Sequence, residues 1–495
     1  MSKTYISKRG YVLKKESFPK EIIDELKKEL IAKPLVSDTF LMLNKDFDVF
    51  IETVNNVYIP KMYGISKFGN PEKELKNFQG IFWDKSHDFT GKLLDRQIIP
   101  YNTLLNACNK VGGGLLQLNA GAGKTFITIK VLSELKGKTI IIVNKIPLMH
   151  QWAEEISKLL PTIRIGYLQG QSNVNIQDAD IVIAMLQSMS RIDYPDELFN
   201  DFKTVVFDEV HNFSSKCFSK ILFKVCCPYS IALSATPQRS DSCDYIINWH
   251  VGKLVYKGTV ERIGLMPRLH IIKTTSDEYR EIKSYNKFQR KDILQFTSMI
   301  SQLIEMKSRN NLIIKYIKEY QLQNRKILVL SDRRDHLYTL KTMLESDAVD
   351  FTFGLFLGKM KAKDLEHTKT CNVLLATYKA FSEGINEKDL DTLVLITPKK
   401  YIGHIPNSVK KENGSLEQIV GRIFRKQHLT IQPIIIDLSD HFSVYKSQAS
   451  SRLVFYKSHF ENLEILETKV NLDTDEITEK DIIVQSCENN NICLL

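Results

Sequence analysis

Short runs of β-branched and apolar residues recur along the chain, and they constrain its fold more than any other feature of the sequence. The runs are Thr139–Val143, Ile181–Met185, Thr204–Phe207 and Ser230–Leu233 in a first block, and Lys326–Leu330, Asn372–Ala376, Thr392–Ile396 and Pro433–Asp437 in a second. Longer stretches with helical spacing, such as residues 147–156, lie between them. Buried strands that alternate with helices predict parallel sheets covered on both faces. We therefore predict an α/β chain with two parallel-sheet domains in tandem.

The breaks in this pattern set the predicted domain limits of the 495-residue chain. Residues 1–85 lack the alternation, which predicts a small mixed accessory module. The two parallel-sheet domains are expected at 86–262 and 325–465. Residues 263–324 are polar, Lys-rich and helix-periodic, which predicts a helical connector. Residues 466–495 are acidic and Asn-rich, and we expect a flexible tail there.

Composition excludes several classes of protein. The hydrophobic share of 43% and the charged share of 25% are those of ordinary globular chains. No apolar run approaches the roughly 18 residues that a membrane-spanning helix needs, and the basic N-terminus lacks the hydrophobic stretch of a secretory signal. The eight cysteines show no Cys-x-x-Cys pair, which favours reduced thiols over a zinc site. We expect an intracellular protein that is neither secreted nor embedded in a membrane.

A glycine-rich segment follows an apolar stretch and precedes a predicted helix at residues 126–135. It reads Leu118-Asn119-Ala120-Gly121-Ala122-Gly123-Lys124-Thr125. Backbone N–H groups of such a loop can wrap around phosphates, Lys124 can reach the β- and γ-phosphates, and the Thr125 hydroxyl can ligate Mg²⁺. Leu118 stands where a strict phosphate loop has its first glycine. The alternative is a glycine-rich turn with an incidental lysine.

An acidic pair, Asp208-Glu209, comes directly after the buried run Val205–Phe207. The carboxyl end of a strand in an open α/β sheet is where ligands bind. Asp208 can hold magnesium, and Glu209 can polarise an attacking water. A helix N-terminus with acidic capping residues would show the same pair. The position after a glycine loop and before His211 favours a nucleotide site.

Two further segments carry polar residues suited to phosphate chemistry. Ser234 and Thr236 are small hydroxyl residues at the end of a predicted strand, although a plain turn would also use them. Gln418, Arg422 and Arg425 share one face of a predicted helix, at spacings of four and three. Two guanidinium groups on one face suit a phosphate, and a solvated surface helix is the alternative.

In this order the segments resemble the motifs of superfamily 2 helicases. The matching segments are Arg96-Gln97 (adenine-proximal), Asn119–Thr125 (motif I), Ile140–Trp152 with Gln151-Trp152 (motif Ia), Asp208–His211 (motif II, a DEVH box), Ser234–Pro237 (motif III), Lys326–Arg333 (motif IV), Ala376-Thr377 with Ser382–Asn386 (motif V) and Gln418–Arg425 (motif VI). Asn386 departs from the acidic residue common in motif V. The chain looks closest to the XPB/UvsW-like branch, and it resembles helicases of large DNA viruses such as the poxvirus transcript-release helicase.

The resemblance implies two tandem RecA-like domains with ATP and Mg²⁺ as cofactors. The cofactor-binding residues that it implies are Arg96, Gln97, Asn119, Ala120, Gly121, Ala122, Gly123, Lys124, Thr125, Gly384 and Gln418. The implied catalytic residues are Lys124, Asp208, Glu209, Arg422 and Arg425, and the implied metal ligands are Thr125 and Asp208. Arginines supplied by the second domain would couple hydrolysis to closure.

The resemblance also implies that nucleic acid is bound mostly through its backbone, with DNA as the expected substrate and RNA as the alternative. The candidate contacts are Lys145, Gln187, Ser188, Thr377 and Lys379, with Arg239 and Lys399-Lys400-Tyr401 as weaker candidates. A net charge of +10 agrees with this, although a solvated surface explains it equally well. A viral protein of this kind would act in the host cytoplasm or the virion, with transcription or replication machinery as partner.

The expected function is that of an ATP-dependent helicase or translocase on DNA or DNA–RNA hybrids, in transcription, replication or repair. One alternative is a transcription-complex ATPase that remodels protein–DNA assemblies without separating strands. Another is the motor subunit of a restriction enzyme, for which the chain offers no separate nuclease-sized domain.

Overall fold

The computed structural model divides into two compact units, one formed by Met1–Glu261 and the other from Arg262 onward. The residues that it describes are 2–34, 46–75, 78–84, 87–118, 122–170, 172–210, 220–234, 243–258, 265–286, 291–358, 360, 362–384, 389–399, 416, 419–421, 423, 428, 430–460 and 463–485.

The N-terminal part of the first unit is a small mixed module. Its elements are β1 (Thr4–Ser7), β2 (Gly10–Lys14), α1 (Lys20–Glu29), β3 (Ile31–Ala32), β4 (Phe47–Asp48), β5 (Ile51–Glu52), β6 (Asn56–Ile59) and α2 (Lys61–Phe68). Four of the strands form an antiparallel sheet in the order β1-β2-β6-β5. A core of aliphatic and aromatic side chains, including Leu13, Leu26 and Val57, joins this sheet to α1.

A parallel sheet makes up the rest of the first unit. Its strands are β7 (Gly113–Leu118), β8 (Thr139–Val143), β9 (Ile165–Gln169), β10 (Ser172–Val174), β11 (Ile181–Met185), β12 (Thr204–Asp208), β13 (Tyr229–Ser234) and β14 (Leu254–Gly258), and its helices are α3 (Asp95–Val111), α4 (Lys124–Leu135), α5 (Ile146–Leu159), α6 (Leu186–Arg191) and α7 (Tyr245–His250). In the described residues the strand order is β10-β9-β11-β8-β12-β13-β7-β14, and neighbours are parallel apart from β9 and β10.

The strands of this sheet are buried on both faces. Ile140 and Ile142 of β8 belong to the core on one face, whereas Ile141 and Val143 belong to the core on the other. This alternation follows from the two-residue repeat of a strand. It explains why the strand sequences are continuous apolar runs, as in other parallel sheets covered on both faces.

Buried lysines fix the N-terminal module to the parallel sheet. The Nζ of Lys61, at the start of α2, donates to the carbonyl oxygens of Cys227 and Pro228 at 2.8 and 3.0 Å and to the Ser230 hydroxyl at 3.2 Å. Lys8 is also buried and donates to the Phe202 carbonyl. The module therefore contacts the amino-terminal ends of the sheet strands through satisfied ammonium groups.

The second unit has a sheet of the same kind. Its strands are β15 (Arg268–Thr275), β18 (Ile327–Ser331), β19 (Phe353–Phe356), β20 (Val373–Thr377), β21 (Thr392–Leu395), β22 (Ile434–Asp440), β23 (Leu463–Asn471) and β24 (Ile477–Gln485), with a separate hairpin of β16 (Lys283–Asn286) and β17 (Lys291–Leu294). Its helices are α8 (Phe296–Glu305), α9 (Lys307–Gln321), α10 (Arg334–Ser346), α11 (Ala362–Thr370), α12 (Tyr378–Gly384) and α13 (Ser443–His459). In the described residues the order is β19-β20-β18-β21-β22-β15-β23-β24.

The predicted fold class is confirmed, because each unit carries a largely parallel sheet with helices. All eight apolar runs identified in the sequence are strands, with ends within three residues of those predicted. The predicted helix at 126–135 is the greater part of α4, which begins two residues earlier.

The helical connector predicted at 263–324 is wrong. Its first part contains β15, which lies inside the second sheet and pairs in parallel with β22 and β23. The stretch from 276 onward contains the β16–β17 hairpin as well as α8 and α9. The helical spacing of the apolar residues arises because one face of these helices is buried: Ile313, Ile317 and their neighbours lie in one core with Ile327 and Val329 of the sheet. They therefore belong to the core of the second unit.

The flexible tail predicted at 466–495 is wrong as far as residue 485. β23 pairs in parallel with β15, and β24 pairs with β23 in an antiparallel register. Val470 and Leu472 are buried in the core of the unit. Their burial stabilises a segment whose acidic composition had suggested disorder. Residues 486–495 lie outside the described residues.

Trp83 bears on the predicted domain limit at residue 85. Its side chain packs in the core of the first parallel sheet, and its Nε1 donates to the Asp180 carbonyl at 3.2 Å. The segment at 78–84 is therefore part of the parallel-sheet part of the first unit.

None of the helices in the described ranges combines the length and the apolar composition that crossing a bilayer requires.

Candidate functional site

Three segments singled out in the sequence meet at the carboxyl edge of the first sheet. β12, β13 and β7 are consecutive in the strand order and parallel, so their carboxyl ends lie side by side. Asp208 ends β12, Ser234 ends β13, and the glycine loop follows β7. The crossovers that parallel pairing requires bring together residues more than a hundred positions apart in the sequence.

The glycine loop leads into α4, whose first residue is Lys124. Gly123 has φ of +85°, and a Cβ built there would lie 2.2 Å from Nε2 of Gln97. Glycine is therefore required both by the backbone conformation and by the close approach of Gln97. The Lys124 Nζ donates to the Leu118 carbonyl at 2.7 Å, which joins the two ends of the loop.

The adenine-proximal pair lies at the start of α3, beside this loop. Gln97 is buried, and its Oε1 accepts the Leu94 backbone N–H at 3.0 Å, so the side chain is held in place at the helix N-terminus. Arg96 is partly exposed. The structure thus brings Gln97 and Gly123 together. The role of Gln97 in binding a nucleotide stays a prediction.

Asp208 is buried and held at both carboxylate oxygens. Oδ1 accepts the backbone N–H of Glu209 at 3.0 Å, and Oδ2 accepts the indole N–H of Trp152 at 2.9 Å. Burial, and next the negative charge of Glu209, raise the pKa of Asp208 to about 6, whereas the Trp152 hydrogen bond and the charge of Lys124 act in the opposite direction. The charges of Lys124 and Glu209 therefore both act on the Asp208 carboxylate.

Glu209 has an unusual backbone conformation. Its φ is +51°, in the left-handed region that a residue with a side chain seldom adopts. Strained backbone of this kind is concentrated at functional sites, where the surrounding structure maintains it. The turn ends β12 directly after Asp208, so it places two carboxylates at one strand end.

A magnesium–nucleotide complex fits the residues present. A buried carboxylate whose pKa is raised beside a second carboxylate gains stability from a cation. Carboxylate and hydroxyl oxygens are ligands that Mg²⁺ accepts, and Thr125 lies in the first turn of α4. The backbone N–H groups of that turn have no intrahelical partner and are suited to phosphate oxygens. Asp208 and Thr125 would thus hold the ion beside the phosphates.

Several predicted site residues lie outside the described part of the chain. They are Asn119, Ala120, Gly121, His211, Thr236, Arg239, Asn386, Lys400, Tyr401, Gln418, Arg422 and Arg425. Four residues close in sequence to Gln418, Arg422 and Arg425 are buried in the core of the second unit, namely Leu416, Ile419, Val420 and Ile423. Gly384 is the last residue of α12 in that unit. The roles predicted for these residues stay predictions.

Two of the predicted nucleic-acid contacts lie at neighbouring strand ends in the first unit. Lys145 precedes α5 after β8, and Gln187 follows β11, the next strand in the sheet. The Gln187 Nε2 donates to the Asn144 carbonyl at 2.7 Å, which joins the two ends. Ser188 accepts the Gly170 backbone N–H at 2.8 Å.

In the second unit Thr377 ends β20, Lys379 follows that strand, and Lys399 follows β21. Thr377 accepts the Ala380 backbone N–H at 3.1 Å, and Lys379 is exposed. Lys399 lies over the Tyr378 ring, with its Nζ 4.2 Å from the ring centroid, and its carbonyl accepts the Arg452 guanidinium at 2.7 Å. These residues remain candidates for contact with nucleic acid.

Trp152 is a site residue that the sequence reasoning missed. The Gln151-Trp152 pair was identified as part of motif Ia, but its contact with Asp208 was not predicted. The available signal was a tryptophan on the apolar face of a predicted helix, where a buried indole N–H requires an acceptor.

Comparisons with known proteins find both a family model and similar chains. Residues 90–239 match the family model described as "Type III restriction enzyme, res subunit". A protein of Acanthamoeba polyphaga mimivirus, named as an ATP-dependent RNA helicase, is 29% identical over 98% of this chain and 92% of its own. A protein of African swine fever virus with the same kind of name is 26% identical over 84% of this chain and 78% of its own.

Two further comparisons concern cellular proteins. A protein of Sulfurisphaera tokodaii named as the DNA 3′–5′ translocase XPB2 is 34% identical over 30% of this chain and 33% of its own. The Hef helicase domain of Pyrococcus furiosus has 15% identity and a TM-score of 0.45, over 74% of this chain and 100% of that structure.

The comparisons confirm the class that the motifs predicted. The chain is similar to superfamily 2 helicases, including an XPB protein and proteins of large DNA viruses. The prediction of an ATP-dependent enzyme of the helicase class is confirmed with it.

Proposed function

We propose that this chain is an ATP-driven motor that moves along or unwinds DNA or DNA–RNA hybrids. The observation that carries the proposal is the arrangement at the carboxyl edge of the first sheet, where Lys124 begins α4 after β7 and buried Asp208, followed by Glu209, ends β12 two strands away. A lysine at a helix N-terminus beside two carboxylates is suited to a triphosphate with its cation.

Each candidate site residue named below for the first unit has its own role in this proposal. Lys124 would exchange the Leu118 carbonyl for phosphate oxygens, and Glu209 would orient the attacking water. Gln97, fixed at the start of α3, would contact the base. Asp208 and Thr125 would hold Mg²⁺, which when bound neutralises charge on the phosphates.

The second unit would complete the reaction. We propose that Gln418, Arg422, Arg425 and Gly384 contact the nucleotide from that unit, as their motifs suggest. Positioned arginines stabilise the charge that develops on the transferring phosphate. Hydrolysis would then require both units, and nucleic acid that bridges them would stimulate it.

Support for nucleic acid as the substrate comes from the relatives and from charge. Two viral relatives are named RNA helicases and an archaeal relative is named a DNA translocase. Lys145 and Gln187 follow neighbouring strands at the carboxyl edge, where a strand of nucleic acid could pass. We propose contact mainly with the backbone, action in the host cytoplasm or virion, and transcription or replication machinery as partner.

The test is ATP turnover measured without nucleic acid and with single-stranded DNA, duplex DNA and RNA. Stimulation by at least one of them is expected in the wild type and not in Glu209→Gln. Strand-displacement and translocation assays on the same preparation would separate an unwinding enzyme from a translocase that remodels protein–DNA assemblies. The name of the archaeal relative, a DNA translocase, favours the second of these. Equal turnover under all four conditions would contradict a nucleic-acid motor.

Binding should also depend steeply on salt. Contacts to phosphates release counterions, so the slope of log K against log salt should be about −0.7 to −0.9 per phosphate contacted. Affinity should differ little among sequences of one nucleic-acid type. Fluorescence anisotropy with labelled oligonucleotides between low and moderate salt would measure both quantities. Salt-insensitive, sequence-selective binding would indicate base readout and would count against a translocating motor.

A further inference from the structure

The buried face of α5 carries a polar group that the proposed function leaves unused. Met149, Trp152, Ile156 and Leu159 form this face, and all four are buried. Among these four, all within the described residues, Trp152 alone has a polar hydrogen. Its Nε1–H donates to Asp208 Oδ2 at 2.9 Å, across 56 positions of sequence.

This hydrogen bond completes the fixation of the Asp208 carboxylate. The backbone of Glu209 donates to one oxygen and Trp152 donates to the other, so donors from two different elements restrict rotation of the group. Hydrogen bonds that orient a ligating carboxylate commonly change metal affinity or activity about 10- to 100-fold when they are removed.

Packing alone does not account for a tryptophan at this position. The indole lies at 1% exposure among Ile141, Val143 and Val206, which an apolar ring could contact as well. A buried indole N–H without an acceptor is costly, as is a buried carboxylate without donors. Each group satisfies the other, and the carboxylate is the one at the nucleotide site.

We propose that Trp152 is a positioning residue that fixes the Asp208 carboxylate in the orientation that holds the metal–nucleotide complex. The inference rests on the proposed function, since it takes Asp208 as a ligand of Mg²⁺. The same helix begins directly after Lys145, a candidate contact for nucleic acid, about 10 Å along the helix axis from Trp152. A displacement of α5 by nucleic acid would therefore move the indole N–H relative to the carboxylate.

The test compares Trp152→Phe with Ile156→Val in the full-length chain. Mg²⁺ is titrated against binding of a fluorescent ATP analogue, and thermal unfolding is followed in parallel. Trp152→Phe keeps an aromatic ring but removes the donor, so the half-saturating Mg²⁺ concentration should rise about tenfold or more. Affinity for the analogue in EDTA should change less than about twofold, because the carboxylate acts through the ion. Ile156→Val should leave the Mg²⁺ dependence unchanged.

A double-mutant cycle with Asp208→Asn separates positioning from packing. When Trp152→Phe is added to the Asp208→Asn variant, it should have no further effect on the Mg²⁺ dependence, because the group that it orients is gone. An unchanged Mg²⁺ dependence of Trp152→Phe in the wild-type background would overturn the inference. Lack of Mg²⁺-dependent nucleotide binding by the wild type would instead refute the proposed function itself.

A second measurement leaves Trp152 in place. The chain has three tryptophans, so Trp83→Phe with Trp249→Phe leaves Trp152 as the sole indole. Adding Mg²⁺ to this protein with a non-fluorescent ATP analogue should shift the indole emission, since the acceptor of its N–H becomes a metal ligand. Emission that is identical with and without Mg²⁺, at saturating analogue, would also overturn the inference.

Discussion

At the residue scale, the site contains a carboxylate, Asp208, whose ionised form is disfavoured by its surroundings. Asp208 is buried beside Glu209, and its pKa is raised to about 6 by burial and then by that neighbour. Lys124 is the cation whose charge partly offsets this effect. Such a cluster gains stability when a phosphate and its cation bind, and for this reason the proposed function gives the same few residues roles in both binding and chemistry.

Two substitutions should separate binding from hydrolysis. Lys124→Ala removes the phosphate cation, so nucleotide affinity and turnover should both fall. Glu209→Gln keeps the shape but removes the carboxylate that orients water, so ATP should still bind while turnover falls roughly 10²-fold or more. Nucleotide titration and steady-state turnover measure the two effects. Lys130→Ala, which breaks an exposed pair with Glu134 on the same helix, is the matched control and should change neither.

Near-normal turnover in Glu209→Gln would contradict its assignment as the residue that orients water. Loss of nucleotide binding in that variant would contradict the division of roles between Lys124 and Glu209.

At the element scale, single polar contacts fix whole helices. Trp152 joins α5 to the end of β12, and Lys61 joins α2 to the residues around the start of β13. Burial lowers the pKa of Lys61, yet three oxygen acceptors within 3.2 Å keep its ammonium group satisfied. Each contact links elements that are far apart in the sequence, and each would be costly to leave half-made.

Lys61→Met should strongly destabilise the first unit. The substitution keeps the apolar stem but leaves buried carbonyl groups without a donor, which should lower the free energy of unfolding by about 2–5 kcal/mol. Urea unfolding monitored by circular dichroism would measure the loss. Lys67→Met on the same helix removes a partly exposed ion pair with Glu29, and it should cost less than about 1 kcal/mol. Equal losses in the two variants would show that the ammonium group of Lys61 is not the anchor.

At the scale of the whole molecule, the chain consists of two units that each contain a complete core. A fragment of residues 1–261 should therefore fold and bind ATP weakly. It should show no nucleic-acid-stimulated hydrolysis, because it lacks Arg422 and Arg425. A fragment of residues 86–262 should fold poorly, since it lacks Lys61 and Trp83. Thermal melting and ATP turnover of both fragments would test this. Stimulated turnover by the longer fragment at the full-length rate would refute the two-unit mechanism.

Stability should fall in mild acid because three histidines are buried in their neutral form. Burial lowers the pKa of His250 to about 3, of His270 to about 4 and of His336 to about 3. Above pH 6.5 these groups are neutral in both the folded and the unfolded chain and contribute nothing. Between pH 6.5 and about 4 the unfolded chain takes up protons that the folded chain does not, which costs about 1.4 kcal/mol per pH unit for each histidine.

Urea unfolding at pH 7, 6 and 5 would measure this dependence. His250 packs edge-on against Phe223, so His250→Phe keeps a ring at this position. The free energy of unfolding of this variant should therefore fall less steeply with decreasing pH, by about 1.4 kcal/mol per pH unit, which is the contribution of one histidine. Identical declines in the wild type and the variant would contradict the assignment.

The sequence by itself determined eight of the sheet strands, and it predicted the chemistry of the site. Runs such as Thr139–Val143 are strands because a short β-branched run buried on both faces has few other stable conformations. Lys124, Asp208 and Glu209 were predictable because a glycine loop and an acidic strand end are local patterns. Motif order then gave their class. Such signals are complete within a few residues, so no knowledge of the rest of the fold was needed.

The tertiary structure alone decided which distant segments meet. β15 lies between β22 and β23, and its partners are more than 150 residues away in the sequence, so its polar ends looked like part of a connector. The partners of Trp152 and Lys61 are likewise set by strand order and helix packing. A local sequence pattern predicts whether a side chain will be buried. Which group it contacts in the core depends on how the entire core packs.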